Sequence, residues 1–76
     1  IKIKWSTVEI LECKVGKPLT LLARGATGGD CEIVLSCKRP KTVKIDRKKN
    51  PFKYEDGLLK IHFKANGKEQ KLTIRL

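Results

Sequence analysis

The sequence contains no methionine, a single histidine, and only one Trp, one Tyr and two Phe. It also lacks any long apolar run. A transmembrane helix needs about 20 consecutive apolar residues, and Lys, Arg, Asp or Glu interrupts every apolar stretch well before that length, so no membrane partner is expected. Ile1-Lys2-Ile3-Lys4-Trp5 alternates where a secretory signal would show a continuous apolar block. Without a starting Met, the chain is expected to be a fragment or a processed product. Acids are scarce as well: 8 Asp and Glu stand against 18 Lys and Arg, a net charge of +10. At 76 residues the chain is a single domain, residues 1–76, far short of the ~250 residues of a (β/α)₈ barrel. A domain of this size buries only about 60% of the surface its unfolded chain exposes. High net charge favours disorder, but well-patterned apolar runs and two strong turn signals oppose it.

Those runs have period two, the signature of half-buried strands. Leu59, Ile61 and Phe63 alternate with Lys60, His62 and Lys64, and Leu72, Ile74 and Leu76 alternate with Lys71, Thr73 and Arg75. Asn66-Gly67 between them is the preferred pair for a two-residue type I′ hairpin, which predicts Ile61 opposite Leu72 and Leu59 opposite Ile74. Asp56-Gly57 repeats the pattern one strand earlier and sets Tyr54 opposite Leu59 and Phe52 opposite Ile61. Together they predict a C-terminal three-stranded meander. Upstream, Val43 and Ile45 point inward from a strand bounded by Pro40. Cys31, Ile33, Leu35 and Cys37 share one face of another strand, and 18–23 reads as a strand partly buried on both faces. Gly25 to Asp30 reads as a flexible loop. Ile1, Ile3 and Trp5 have one parity and Val8 and Ile10 the other, which a bulge or bend near Ser6-Thr7 would reconcile. The expected fold is all-β: a small antiparallel β-sandwich ending in a β-meander. Its inward residues are Val43, Ile45, Phe52, Tyr54, Leu59, Ile61, Phe63, Leu72 and Ile74.

Chemistry-bearing patterns are few. Cys31 and Cys37 are six residues apart on one strand at about 3.3 Å each, too far for the ~4.4–6.8 Å Cα separation of a disulfide. Cys13 could bond either one, or all three could be free thiols in a reducing, intracellular compartment. The cysteine spacings and the lone His62 do not match a zinc site, so no metal is expected. His62 shares the parity of Lys60 and Lys64 and points to solvent, away from the core-facing cysteines. The acids are scattered, and Gly25–Gly29 is followed by no helix that could cradle a phosphate. No cofactor and no catalytic residue is expected.

Charge is the remaining signal. Lys38, Arg39, Lys41, Lys44, Arg47, Lys48 and Lys49 crowd into a short span with a single Asp46, and Arg47-Lys48-Lys49-Asn50 reads as a loop tip. Such a patch can bind nucleic acid or a sulfated glycan through phosphate or sulfate contacts, or can serve only as a solvated surface that blunts strand edges. An immunoglobulin-like adhesion domain is a third possibility, although the core Trp between two bridged cysteines is missing.

The stretch Cys31-Glu32-Ile33-Val34-Leu35-Ser36-Cys37-Lys38-Arg39-Pro40-Lys41-Thr42-Val43-Lys44-Ile45-Asp46, followed by Phe52-Lys53-Tyr54-Glu55-Asp56-Gly57-Leu58-Leu59, resembles the C-terminal β domain of α-galactosidase and raffinose-synthase-like glycoside hydrolases. There a strand leads into a basic-residue–Pro step, a V-x-(V/I)-D strand, an aromatic strand and a turn. The similarity covers about the last two-thirds of the chain. Here Asp46 is followed by a longer basic segment than that pattern has. The family's catalytic carboxylates lie on a barrel that this chain does not contain, so none is carried over. The resemblance implies a non-catalytic accessory module that packs against a neighbouring catalytic domain of its parent protein.

Overall fold

The computed structural model describes residues 2–76; Ile1, and with it part of the N-terminal parity expectation, lies outside them. The fold is all-β, a sandwich of two antiparallel sheets. Its strands are β1 (Lys2–Ser6), β2 (Glu9–Lys14), β3 (Leu19–Arg24), β4 (Asp30–Ser36), β5 (Thr42–Ile45), β6 (Lys48–Lys49), β7 (Phe52–Glu55), β8 (Leu58–Lys64) and β9 (Glu69–Arg75). One sheet has the order β1-β4-β8-β7 and the other β2-β3-β9-β5-β6. Alternation places one side chain in two on the facing sides, and there Leu19, Leu21, Ile33, Leu35, Leu59, Ile61, Leu72 and Ile74 are almost wholly buried. Each contributes about 1.5–3 kcal/mol of hydrophobic stabilisation, the main term in so small a domain. Val43 and Ile45 join this core, and Phe52, Tyr54 and Phe63 pack against it. Every residue expected to face inward therefore does so, against the other sheet of the same sandwich.

The Asp56-Gly57 hairpin forms in the expected register, with Tyr54 opposite Leu59 and Phe52 opposite Ile61. The meander does not. β8 pairs with β4 and β7, whereas β9 pairs with β3 and β5 in the opposite sheet. Backbone competition explains the difference. Ala65, which a hairpin would set opposite Lys68, instead accepts from Gly28 N–H (2.8 Å) and donates to the Gly29 carbonyl (2.9 Å). The Lys68 amide goes to the Asn66 side chain (2.9 Å). Asn66-Gly67 thus turns the chain from one sheet to the other. The Gly25–Gly29 segment is held rather than loose, with Gly25 pressed close to Ala65.

At the N-terminus the chain changes sheets at Thr7-Val8, and the bulges lie elsewhere. Register shifts occur between Ile3 and Trp5 on β1 and between Ile10 and Glu12 on β2. The first leaves Ile3 facing in and turns Trp5, paired with Val34, to the outer face.

Candidate functional site

Arg47-Lys48-Lys49-Asn50, expected as a loop tip, is instead a tight turn followed by an edge strand, and the seven basic residues singled out in the sequence divide among separate places. Asp46 and Arg47 have φ of 49° and 73°, and Ile45 pairs with Lys48 across them. This is the two-residue turn of a type I′ hairpin, and Lys48-Lys49 is a short edge strand. Asp46 fits the turn because its own amide donates to the Lys71 carbonyl (2.9 Å) and its Oδ1 accepts from the Lys71 amide (3.0 Å). Lys38, Arg39 and Lys41 sit at the end of the sandwich where β4 crosses to β5. There the Arg39 guanidinium lies 5.8 Å from the Tyr54 ring centroid, and the Tyr54 hydroxyl donates to the Cys37 carbonyl (2.7 Å).

Lys44 and Lys49 are opposed on the outer face of the five-stranded sheet. Lys71 and Arg75 on β9 flank Lys44 there, since Thr73 is its direct partner. Like charges so placed repel, and they remain because this face is open to water. The sequence reading missed Lys71 and Arg75 because it set β9 beside β8. Among the described residues, only Lys14, Arg24 and Lys64 of the 18 Lys and Arg reach a carboxylate, at 3.1, 3.1 and 3.7 Å.

The other outer face carries a different constellation. Trp5 is 53% exposed, an unusual place for the only Trp of the chain. It stands beside an open cleft of about 550 Å³ whose lining includes Thr7, Asp30, Glu32, His62 and Lys64. The cleft exists because β1 ends at Ser6, so the lower half of β4 has no neighbour on that side. Thr7 closes the strand end: its amide donates to the Glu32 carbonyl (3.0 Å) and its hydroxyl accepts from the Glu32 amide (2.9 Å). Cross-strand pairing sets Glu32 opposite His62 and Asp30 opposite Lys64; the Glu32 carboxylate contacts the His62 Nε2, and Asp30 and Lys64 form an ion pair across the floor. The parity of Trp5 was legible in the sequence, but the bulge at Lys4 that decides its face was not.

The cysteines offer no activated nucleophile. All three are free thiols: Cys13 exposed, Cys31 buried and Cys37 half-buried. Cys31 donates to the Gly29 carbonyl (3.5 Å), and His62 is engaged with Glu32. Burial pushes the Cys37 thiol up, so it stays protonated and weakly nucleophilic at neutral pH.

No family model, curated protein or solved structure matches the chain. The fold and these surfaces define an all-β sandwich with an exposed Trp beside a cleft on one outer face and a cluster of cations, Lys44, Lys49, Lys71 and Arg75, on the other.

Proposed function

We propose that the chain is a non-catalytic β-sandwich interaction module, the accessory domain of a carbohydrate-active protein, which holds a glycan on the outer face of its four-stranded sheet. The exposure of Trp5 beside the cleft carries this reading. An indole face is electron-rich, and the C–H bonds on one side of a pyranose ring present a complementary positive edge. Glu32, His62, Asp30 and Lys64 on the floor offer acceptors and donors to ring hydroxyls. The resemblance to accessory domains of glycoside hydrolases points the same way. The pairing of His62 with Glu32 and the poor nucleophilicity of Cys37 favour binding over catalysis.

Titration calorimetry against a panel of neutral hexo- and pento-oligosaccharides tests the reading. One member should bind, and Trp5→Ala should weaken it by about 30-fold, the usual loss when a Trp anchor is truncated. Trp5→Phe should retain part of the affinity. A panel with no binder, or equal binding by Trp5→Ala, would overturn the proposal.

Docking to a neighbouring catalytic domain is a second role, compatible with the first, and a separate observation favours it. At the end of the sandwich where β9 finishes, Val15 is 72% exposed and Leu76 is also exposed. Both line a cleft of about 410 Å³ with Pro18. Nucleic acid fits less well. Single-strand binders stack successive bases on several aromatics in a cationic groove, whereas Trp5 is the one largely exposed aromatic among the described residues and two carboxylates, Asp30 and Glu32, line its cleft.

A further inference from the structure

We infer that the cleft between β6 and the end of β8 is a separate binding site, one that takes an acidic saccharide unit. The cleft has a volume of about 380 Å³, within the roughly 300–1,000 Å³ range of small-molecule sites. Its lining includes Gln70, which is 7% exposed. The Gln70 Nε2 donates to the Lys64 carbonyl (3.3 Å), which fixes the amide orientation, because a flipped amide would set oxygen against oxygen. The Oε1 is then a buried acceptor without a donor. Such an acceptor is costly to leave unpaired, and a hydroxyl entering the cleft would satisfy it.

The lysines define the rest of the ligand. Lys48, Lys49 and Lys64 line the same cleft. Lys48 pairs with inward-facing Ile45 and therefore leans over the open edge of the core. The Lys48 and Lys64 ammonium groups call for an anion, and Gln70 Oε1 and the Asp46 carboxylate call for hydrogen-bond donors. Half-buried Phe63 offers a ring face to C–H bonds. Inorganic sulfate or a nucleic-acid phosphate supplies charge without the donor, and a neutral sugar supplies the donor without charge. A hydroxylated ring bearing a sulfate or carboxylate supplies both. The cleft is also held open in advance: Asn50 Nδ2 donates to the His62 carbonyl (2.9 Å) and the Asn50 amide to the Val43 carbonyl (2.9 Å), which staples the two sheets at this edge. Preorganisation of this kind lowers the cost of binding.

Nothing here depends on Trp5. Lys64 borders both clefts, so the test uses residues that line this one alone. The ¹⁵N-labelled chain would be titrated with a heparin-derived tetrasaccharide, tetragalacturonate, inorganic sulfate and a short DNA duplex, with thermal melts confirming that each variant is folded. At least one of the two acidic oligosaccharides should shift the Gln70 side-chain amide and the Lys48–Asn50 backbone amides saturably. Which one does so separates sulfate from carboxylate recognition. Lys48→Ser combined with Lys49→Ser should weaken that binding by about tenfold or more, and Gln70→Met by about fivefold. Trp5→Ala should leave it unchanged. The inference is overturned if neither oligosaccharide moves Gln70, if sulfate or duplex binds as tightly as the oligosaccharides, or if the Lys48/Lys49 variant binds like the parent. The surface lysine pair keeps the test decisive should Gln70→Met fail to fold.

Discussion

Arg47→Gly should make the protein more stable, although it removes a side chain and adds nothing. The two turns Asp46-Arg47 and Asp56-Gly57 have almost the same backbone, with φ of 49° and 73° in the first and 51° and 76° in the second. Their second positions differ only in the residue that occupies them. An L-residue in the left-handed region carries a penalty of about 1–2 kcal/mol from the approach of Cβ to the following carbonyl. Glycine escapes that penalty but loses about 0.5–1 kcal/mol through its freer unfolded chain. The net gain is about 0.5–1 kcal/mol, and for a domain of this size about 4–8 °C of melting temperature accompanies each kcal/mol. The reciprocal change, Gly57→Arg, meets open space for its Cβ and should cost a similar amount through backbone strain alone. Denaturant and thermal unfolding of both variants, followed by circular dichroism, measures the pair. Stabilisation by Arg47→Gly together with destabilisation by Gly57→Arg is expected. If Arg47→Gly is neutral or destabilising, the two-residue turn is not the conformation at Asp46-Arg47, and the open loop read from the sequence returns.

Trp5→Ala should change stability by no more than about 0.5 kcal/mol, as an exposed site does, so its loss of glycan binding can be read without concern for unfolding. Leu59→Ala and Ile74→Ala, at fully buried positions of one core but in different sheets, should each cost about 2–5 kcal/mol in chemical denaturation. Tyr54→Phe removes the hydroxyl bonded to the Cys37 carbonyl and should cost about 1 kcal/mol. With an alkylating reagent on the native protein, Cys13 should react first and Cys31 only on unfolding. Cys37 should react slowly at neutral pH and faster as the pH rises. Because burial raises the folded Cys37 thiol above its unfolded value, its contribution to stability is fully present below the unfolded pKa and is lost as pH rises through the folded one. Cys37→Ala should flatten the alkaline limb of a stability–pH curve.

What the sequence disclosed, and what it withheld, follows from what alternation encodes. Period-two patterning specifies which face of a strand is buried, and that reading held for Val43, Ile45, Leu59, Ile61, Leu72 and Ile74. It also fixed register where a tight turn joined the strands, as at Asp56-Gly57. Alternation does not say which sheet a strand joins. Leu59 and Ile61 meet Leu72 and Ile74 equally well side by side in one sheet or face to face across a sandwich. The choice was made by Gly28 and Gly29, more than 30 positions upstream of Ala65, through backbone bonds that no local pattern announces. The basic residues fared similarly. Their abundance was plain, but their division among one end of the sandwich, an edge hairpin and a sheet face depends on strand order. Gln70 gave no signal as a polar residue between charged neighbours, since its burial arises only once β9 enters the sandwich.

The central place of β9 has a consequence for how the protein is made. β9 is flanked by β3 on one side and β5 on the other, so the five-stranded sheet splits into two unconnected pieces without it. Domains generally fold as units during or after synthesis, and the five-stranded sheet cannot close until β9 has left the ribosome. Up to that moment β3 and β5 expose unpaired edges and an uncovered apolar face. Among the described residues, the local hairpins that can form earlier are β2–β3, β5–β6 and β7–β8. The lysines and arginines spread along the chain then act before any ligand is present, because their mutual repulsion keeps nascent copies apart while the sandwich waits for its closing strand.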